Sequence, residues 1–368
     1  MTNLPLGVGL IGCGVISDIY LQRCTQTFRQ VRMRAVADLN PTAAHERAAA
    51  YGLPAVTPQQ LLARDDIDIV LNLTVPAAHV PVGLAAIAAG KHVYSEKPLG
   101  VSVAEARTLI EAADSAGLRV GCAPDTFLGG SHQSSRKLVD DGAIGRPVAG
   151  TATLMLPGHE LWHPNPDFYY SHPGGGPAMD MGPYYITALV NLLGPVARVS
   201  ALASRSGVAR TIATGPRAGQ KVPVEVSTHI AGAMQFASGA IVQIVTSFDV
   251  PGHRHSHLEL YGTEGSLVIP DPNRFDGVVE SLSGSDWIRQ PVTHAHADGN
   301  YRGIGLADMA QAIAEGRPHR ASGTLALHVL EVIEALDRSA SSGAAITLET
   351  TCARPAAILP GGATGQSD

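Results

Sequence analysis

Leu6–Ile11 is an unbroken apolar run that passes, without a spacer, into Gly12-Cys13-Gly14-Val15-Ile16-Ser17. Beyond it Ile16, Ile19, Tyr20 and Cys24 recur at helical spacing. A strand with no polar alternation that turns directly into a helix belongs in a parallel sheet covered on both faces. In this G-x-G-x-x-G/A pattern Gly12 permits the tight turn and Gly14 lets the backbone approach a pyrophosphate, which the helix N-terminus then holds. Ser17 occupies the last position, small enough for close packing of helix on strand.

The same alternation continues. Val31–Ala37 reads as the second strand and ends at Asp38, 24 residues after Gly14, where a carboxylate for a ribose hydroxyl belongs. An acid there favours NAD over NADP because it repels a 2′-phosphate, although an arginine on another loop could still admit NADP. Asn40-Pro41 opens a helix that stops at Gly52, and Thr57 with Gln60 forms a capping box. Ile67–Leu73 is the next buried strand, bringing Asn72 and Thr74 to the rim of a cleft; Pro76 then stiffens the entry to a helix over 77–89. His79 reads as a helix-surface histidine, structural rather than catalytic.

Val93–Gly100, VYSEKPLG, is a short strand ending in a charged turn. In an open α/β sheet, ligands bind outside the carboxyl ends of the strands, so Glu96 and Lys97 face that side. Pro98 biases Lys97 toward an extended backbone and holds its ammonium on a stiff support. Ser102 and Glu105 read as another capping box, and a last strand over 118–123 completes a doubly wound parallel sheet.

The totals exclude several classes. With 368 residues, 45% hydrophobic and 16% charged, the chain suits two packed domains rather than a disordered polymer. A net charge of −6 without a basic run argues against nucleic acid, and no apolar run reaches membrane-spanning length. The N-terminus has no basic region or cleavage site of a signal peptide. Cys13, Cys24, Cys122 and Cys352 lack zinc spacing and do not suggest a disulfide framework, which fits a reducing cytoplasm.

Pro124-Asp125 marks a change of pattern. The expected organisation is a nucleotide-binding domain over 1–123, a substrate and oligomerisation domain over 124–359, and a disordered tail over 360–368. The second domain starts with a helix over 129–142 and a strand over 148–156, then an aromatic loop, 159–170, with Trp162, His163 and Tyr169. Such a loop can cover a sugar face or simply pack. In the helix after Gly176, Met181, Tyr185, Ala188, Leu189 and Leu192 mark a buried face, while Asp180 and Tyr184, at i and i+4, share another. From Val196 to Val292 the pattern is β-rich, with strands expected at 225–230, 240–248, 257–261 and 266–269. His253, His255 and His257 alternate, so a strand would put them on one face; without a second ligand cluster they read as no metal site. His294 and His296 read the same way, and Asp308 and His328 read as capping or packing residues on closing helices.

Gly12-Cys13-Gly14, Asp38, the Gly90-Lys91-His92-Val93 run into Glu96-Lys97-Pro98, and the later Gly-rich segment with Asp180 together resemble the glucose–fructose oxidoreductase/inositol dehydrogenase (Gfo/Idh/MocA) family of NAD(P)-dependent sugar oxidoreductases. The resemblance spans most of the chain. It implies a Rossmann domain followed by an α/β domain with a large, mostly antiparallel, open-faced sheet, whose free face pairs subunits into a homodimer or homotetramer. It also implies a dehydrogenase acting on a secondary alcohol of a sugar, glycoside or cyclitol. Cofactor contacts would come from Gly12, Gly14, Val15, Ile16, Asp38, Asn72, Thr74, Pro76, His79, Glu96 and Lys97. Substrate contacts would come from Lys97, Asp125, Trp162, His163, Asp180 and Tyr184. Family members commonly carry Asp-x-x-x-His where this chain has Asp180 and Tyr184; glucose–fructose oxidoreductase also has tyrosine there. Tyr184, with its phenolate favoured by the Lys97 ammonium, is then a candidate proton acceptor, Lys97 an alternative one, and Asp180 the residue that orients the hydroxyl. The same framework also admits an enzyme that retains NAD through an oxidation–elimination–reduction cycle, or a regulator that binds cofactor without turnover.

Overall fold

A computed structural model of the chain describes residues 4–361. Of the tail expected at 360–368, only Pro360 and Gly361 fall within that range, in a turn; the rest lies outside the described residues.

The first part alternates as its hydrophobic pattern requires. β1 (Leu6–Ile11) leads to α1 (Ser17–Gln26), then β2 (Val31–Ala37), α2 (Pro41–Tyr51), β3 (Ala55–Val56) and α3 (Pro58–Leu62). β4 (Ile69–Asn72), α4 (Pro76–Ala88), β5 (His92–Ser95), α5 (Val103–Ser115) and β6 (Val120–Cys122) follow. The six strands lie in the order β3-β2-β1-β4-β5-β6, all pairs parallel, so the winding direction reverses between β1 and β4. β1 is buried along its whole length, as its apolar run demands. The caps are local chemistry: Asn40 accepts from the Thr42 N–H, and Thr57 and Gln60 bond each other's backbone. At α5 the expected box is altered. Ser102 caps Glu105, but Glu105 Oε2 accepts from the Val101 N–H, one residue outside the cap.

The next stretch contains α6 (Gly130–Asp140), β7 (Pro147–Met155), two 3₁₀ turns in place of a featureless aromatic loop (His159–Leu161 and Asp167–Tyr169), and α7 (Pro177–Leu193). β8 (Val196–Ser204), β9 (Ala209–Thr211), β10 (Lys221–Pro223), β11 (His229–Phe236) and β12 (Ile241–Ser247) come next, then β13 (Leu258–Gly262), β14 (Ser266–Ile269), β15 (Val279–Ser283) and β16 (Asp286–Gln290). α8 (Ile304–Glu315), α9 (Gly323–Ser342) and β17 (Ile346–Thr347) end the described elements. Nine strands form one sheet in the order β16-β15-β14-β13-β7-β12-β11-β8-β17; only β7 and β12 pair in parallel. α7 packs against β7, β11 and β12, and α9 brings Leu336 against Gly232 of β11. The other sheet face carries exposed residues such as Leu202, Ile241 and Trp287.

Three expectations change here. The strand expected at 225–230 starts at His229, and residues 225–227 are loop because Glu225 donates its N–H to the Tyr170 carbonyl instead of to a neighbouring strand. His253, His255 and His257 lie on no strand: His257 turns its Nδ1 to the Tyr185 hydroxyl at 2.8 Å, so the three do not share a face. Among the described residues no group of three His, Cys, Asp or Glu side chains could hold a metal ion. α7 is buried nearly all round from Gly182 onward, not on one face, because the sheet covers one side and Ile333 of α9 meets Gly182 on another; Met181 stays partly exposed.

The chain forms two compact units. One holds the residues through Gly130, Thr293–Leu327 and the residues from Pro355; the other holds Ser131–Val292 and His328–Arg354. Neither unit is one continuous stretch, unlike the 1–123 and 124–359 reading. The reason lies around β6, which the later stretch completes. Cys122 N–H donates to Ala321 O, Gly121 bridges Ser322, and Arg119 Nη1 reaches Arg317 O. Asp125 Oδ2 accepts from the N–H groups of Gly303 and Gly305 at the start of α8.

Candidate active site

In the first unit the candidate residues gather at the carboxyl ends of β1, β2, β4 and β5. Gly12 has φ +104°, and a Cβ there would lie 2.5 Å from the Leu73 carbonyl carbon, so the turn after β1 excludes any side chain. A Cβ at Gly14 would meet nothing within 4 Å, which leaves its backbone open to an approaching group. The Ser17 hydroxyl donates to the Gly14 carbonyl at 2.6 Å and secures the loop to α1. Asp38 Oδ2 accepts from the Cys13 N–H at 2.7 Å and Oδ1 from the Asn40 N–H at 2.8 Å, so the carboxylate is fixed beside the glycine turn. Burial pushes the Cys13 thiol up to about 11, with the Asp38 charge adding to it.

The apolar neighbours of these groups are unusual. Val15 is 94% exposed and Leu39 92%, the two most exposed large apolar side chains among the described residues, and Val75 is also exposed. Each follows the turn residue at the end of its strand: Gly14, Asp38 and Thr74. Open apolar side chains beside a glycine turn, a helix N-terminus and a fixed carboxylate fit a flat, phosphate-bearing dinucleotide. Arg47 of α2 pairs with Asp18 of α1 at 2.5 Å and thereby offsets an acid in the first turn after the glycine loop.

Asn72 and His79 are placed differently from their expectations. Asn72 is wholly buried; its amide donates to His79 O and Ser95 Oγ, and its Oδ1 accepts from the Thr74 hydroxyl at 2.7 Å. It shapes the rim through Thr74 rather than lining it. His79 is no surface residue: it is wholly buried in α4, with Nδ1 2.6 Å from Pro98 O and Nε2 2.9 Å from Thr74 O. It therefore ties the turn after β5 to the turn after β4. Burial pulls its pKa down against the opposing pull of those two carbonyls. Glu96 accepts from the Tyr20 hydroxyl at 2.8 Å and from the Lys97 N–H at 2.9 Å, so the base of the Lys97 turn is braced from α1. Lys97 itself is half-buried. Asp125, expected at the substrate, is 1% exposed and serves as the cap of α8; burial pushes its pKa up to about 6.

In the second unit Asp180 lies in the first turn of α7, where the helix dipole favours a carboxylate. The glycines before it set the entry angle: Gly176, at φ +97°, donates its N–H to Tyr169 O, and Asp180 N–H returns to Gly176 O. Tyr184 follows one turn later and is buried. The residue the sequence did not single out is His159. Its Nε2 lies 2.9 Å from Asp180 Oδ2, and its Nδ1 accepts from the Trp162 indole N–H at 3.1 Å. Trp162 remains half open to solvent, and His163 accepts the Asn165 N–H at Nδ1 while its ring meets Phe168 and Tyr169. The only signal for His159 was its place at the start of an aromatic run.

Comparison with known proteins bears on the family and the fold. Residues 6–123 match the family model "Oxidoreductase family, NAD-binding Rossmann fold", and residues 132–268 match the GFO/IDH/MocA C-terminal domain. The chain belongs to the GFO/IDH/MocA oxidoreductase family. Its first domain is an NAD-binding Rossmann fold, and the family implied by the EKP turn and Asp180 is the right one. The 1,5-anhydro-D-fructose reductase of Ensifer adhaerens is 30% identical over 270 residues, 71% of this chain and 74% of the reductase. An inositol 2-dehydrogenase of Klebsiella pneumoniae is 34% identical over 154 residues, 39% of this chain; the match spans less than half of that enzyme, 44%. The crystal structure of an aldose-aldose oxidoreductase from Caulobacter crescentus, complexed with glycerol, superimposes with a TM-score of 0.79 at 26% identity, covering 94% of this chain and all of the other.

Proposed function

We propose that this oxidoreductase transfers a hydride between NAD and a secondary alcohol of a sugar, sugar derivative or cyclitol, in one direction or the reverse. The observation that carries the reading is the cradle at the ends of β1 and β2: a glycine turn that admits no side chain, a glycine open to solvent, and a carboxylate held by the turn's own N–H. NAD, when bound, supplies the hydride acceptor or donor. The chain's own groups do the rest. Gly12, Gly14 and the start of α1 hold the pyrophosphate, Asp38 accepts from ribose hydroxyls, and Val15, Leu39 and Val75 cover apolar ring faces. As the carbon loses its hydride the hydroxyl must lose a proton, and three residues are proposed for that oxygen. Lys97 stabilises the developing alkoxide, Asp180 orients the hydroxyl, and Tyr184 takes the proton.

The relatives' names support a sugar or polyol substrate, since they are said to act on anhydrofructose and inositol. The exposed sheet face with Leu202, Ile241 and Trp287 supports a homodimer or homotetramer. Four buried cysteines with no disulfide support a reducing, cytoplasmic setting. Among the described residues no helix is long and apolar enough to cross a membrane.

The test is reduced-nicotinamide absorbance on mixing the protein with NAD or NADP and a panel of aldoses, anhydrosugars, glycosides and inositols. Lys97→Ala and Asp180→Asn are run beside the wild type. Signal with NAD and a few polyols, lost in both variants, supports the proposal. Absence of any nicotinamide binding would overturn it.

A further inference from the structure

A histidine from another element, His159, touches the α7 carboxylate Asp180, and its tautomer is set by its neighbours. An indole N–H is only ever a donor, so the 3.1 Å bond from Trp162 Nε1 to His159 Nδ1 requires a lone pair on Nδ1. The neutral ring then carries its hydrogen on Nε2, where it donates to Asp180 Oδ2 at 2.9 Å. A second proton could enter only at Nδ1, by displacing the indole. Both nitrogens are thus committed, and the ring is 7% exposed between Tyr169, at 4.1 Å between centroids, and Phe248, at 4.6 Å.

The surrounding charges are themselves paired. Glu160, next in the chain, accepts from the Tyr170 hydroxyl and from Arg210 of β9, and Arg210 also pairs with Asp249 just past β12. Asp180 of α7 is the carboxylate in hydrogen-bond contact with the ring, and His163 stands beyond Trp162. The turn that carries His159 is therefore anchored by half-buried ion pairs on one side and by its bond to α7 on the other.

We propose that Trp162 and His159 are positioning residues for Asp180: the indole selects the Nε2–H tautomer, and that N–H holds the carboxylate as an oriented anion. The assignment rests on the proposed role of Asp180 at the substrate hydroxyl. In this arrangement the imidazole does not act as the base. It has no lone pair directed at a reacting group, so it neither takes nor passes on the proton. It fixes one carboxylate oxygen in place by donating its Nε2–H to it.

Two measurements test this. Protein labelled with ¹⁵N in its histidine rings, with His159→Gln to assign the signal, reports the tautomer in folded wild type. The expected result is a His159 ring with its hydrogen on Nε2 and a lone pair on Nδ1; in Trp162→Phe, which removes the indole donor, the Nδ1 signal shifts. An Nδ1–H tautomer in the wild type, or an Nδ1 signal left unchanged by Trp162→Phe, would overturn the proposal. In the polyol assay, His159→Leu is expected to lower kcat about ten- to a hundredfold with KM little changed. His159→Gln, whose amide N–H can replace Nε2–H, should recover much of the loss. Wild-type kcat in His159→Leu overturns the positioning role. Full activity in Asp180→Asn would instead overturn the role of Asp180 at the substrate, and the tautomer result is read independently of it.

Discussion

Replacing Asp125 by asparagine should change the pH dependence of stability in a direction and amount that the fold dictates. Asp125 is buried, and its Oδ2 takes the N–H groups of Gly303 and Gly305 at 2.8 and 3.0 Å. Those bonds favour the ionised acid, but burial outweighs them and lifts the pKa from its ordinary 3.8 to about 6. A native value of about 6 against 3.8 unfolded corresponds to about 3 kcal/mol. Because the native value is the higher one, this stabilisation is fully present below pH 3.8 and is lost as the pH rises through about 6. His319 works in the opposite sense. Its Nε2 faces Val120 O at 3.1 Å, and burial pulls it down from 6.5 to about 4, so its contribution is lost as the pH falls from 6.5 toward 4. The two partly cancel between pH 4 and pH 6 in the wild type, and a single stability curve would hide both. Asparagine keeps an oxygen for the two glycine N–H groups and carries no charge. Urea unfolding at a series of pH values, read as wild type minus Asp125→Asn, removes the His319 contribution. That difference should fall by about 3 kcal/mol between about pH 4 and about pH 7, leaving the variant at least as stable at neutral pH. A flat difference curve would refute the claim that this carboxylate is ionised against its surroundings.

Gly12→Ala must place a methyl within 2.5 Å of the Leu73 backbone at φ +104°, so NAD affinity measured by calorimetry should drop about tenfold or more; unchanged affinity would show that the turn has another shape. Asp38→Asn retains an acceptor for the Cys13 N–H but not the charge, and the ratio of NADP to NAD affinity should rise about tenfold; an unaltered ratio would remove Asp38 from the ribose. Arg210→Ala leaves buried Glu160 and half-buried Asp249 without their cation, so unfolding free energy should fall by about 1–3 kcal/mol, and a loss under about 0.5 kcal/mol would mean that the network is redundant.

The parts of the fold that were legible in the sequence are those where local chemistry and tertiary role agree. β1, the glycine turn, the Asn40 and Thr57 caps and the EKP turn each combine a pattern with a reason that holds within a dozen residues. His79 was misplaced because helical spacing does not reveal that both ring nitrogens meet carbonyls from turns five and nineteen residues away. Asp125 was misread for a similar reason: its partners, Gly303 and Gly305, lie about 180 residues on, and a lone acid after a strand carries no mark of that distance. His159 escaped because its meaning depends on Asp180, 21 residues later, and it lies in a loop that read only as aromatic. Asp180 and Tyr184 could be paired from sequence because one helix turn separates them; His159 could not.

The division of the chain also bears on the order in which it is made. It passes from one unit to the other after Gly130, Val292, Leu327 and Arg354. A ribosome that has released β1 through β6 has produced every strand of the six-stranded sheet, yet Asp125 still lacks Gly303 and Gly305, and Cys122 lacks Ala321. Even then the carbonyls of Ala356 and Ala357, which hold Arg320, are still to come. The nucleotide-binding half, although first in sequence, is among the last parts of the molecule to be finished. A nascent chain stalled before residue 300 would present a sheet whose edge strand has no cover, and chaperones that shield such edges would find their substrate in that window.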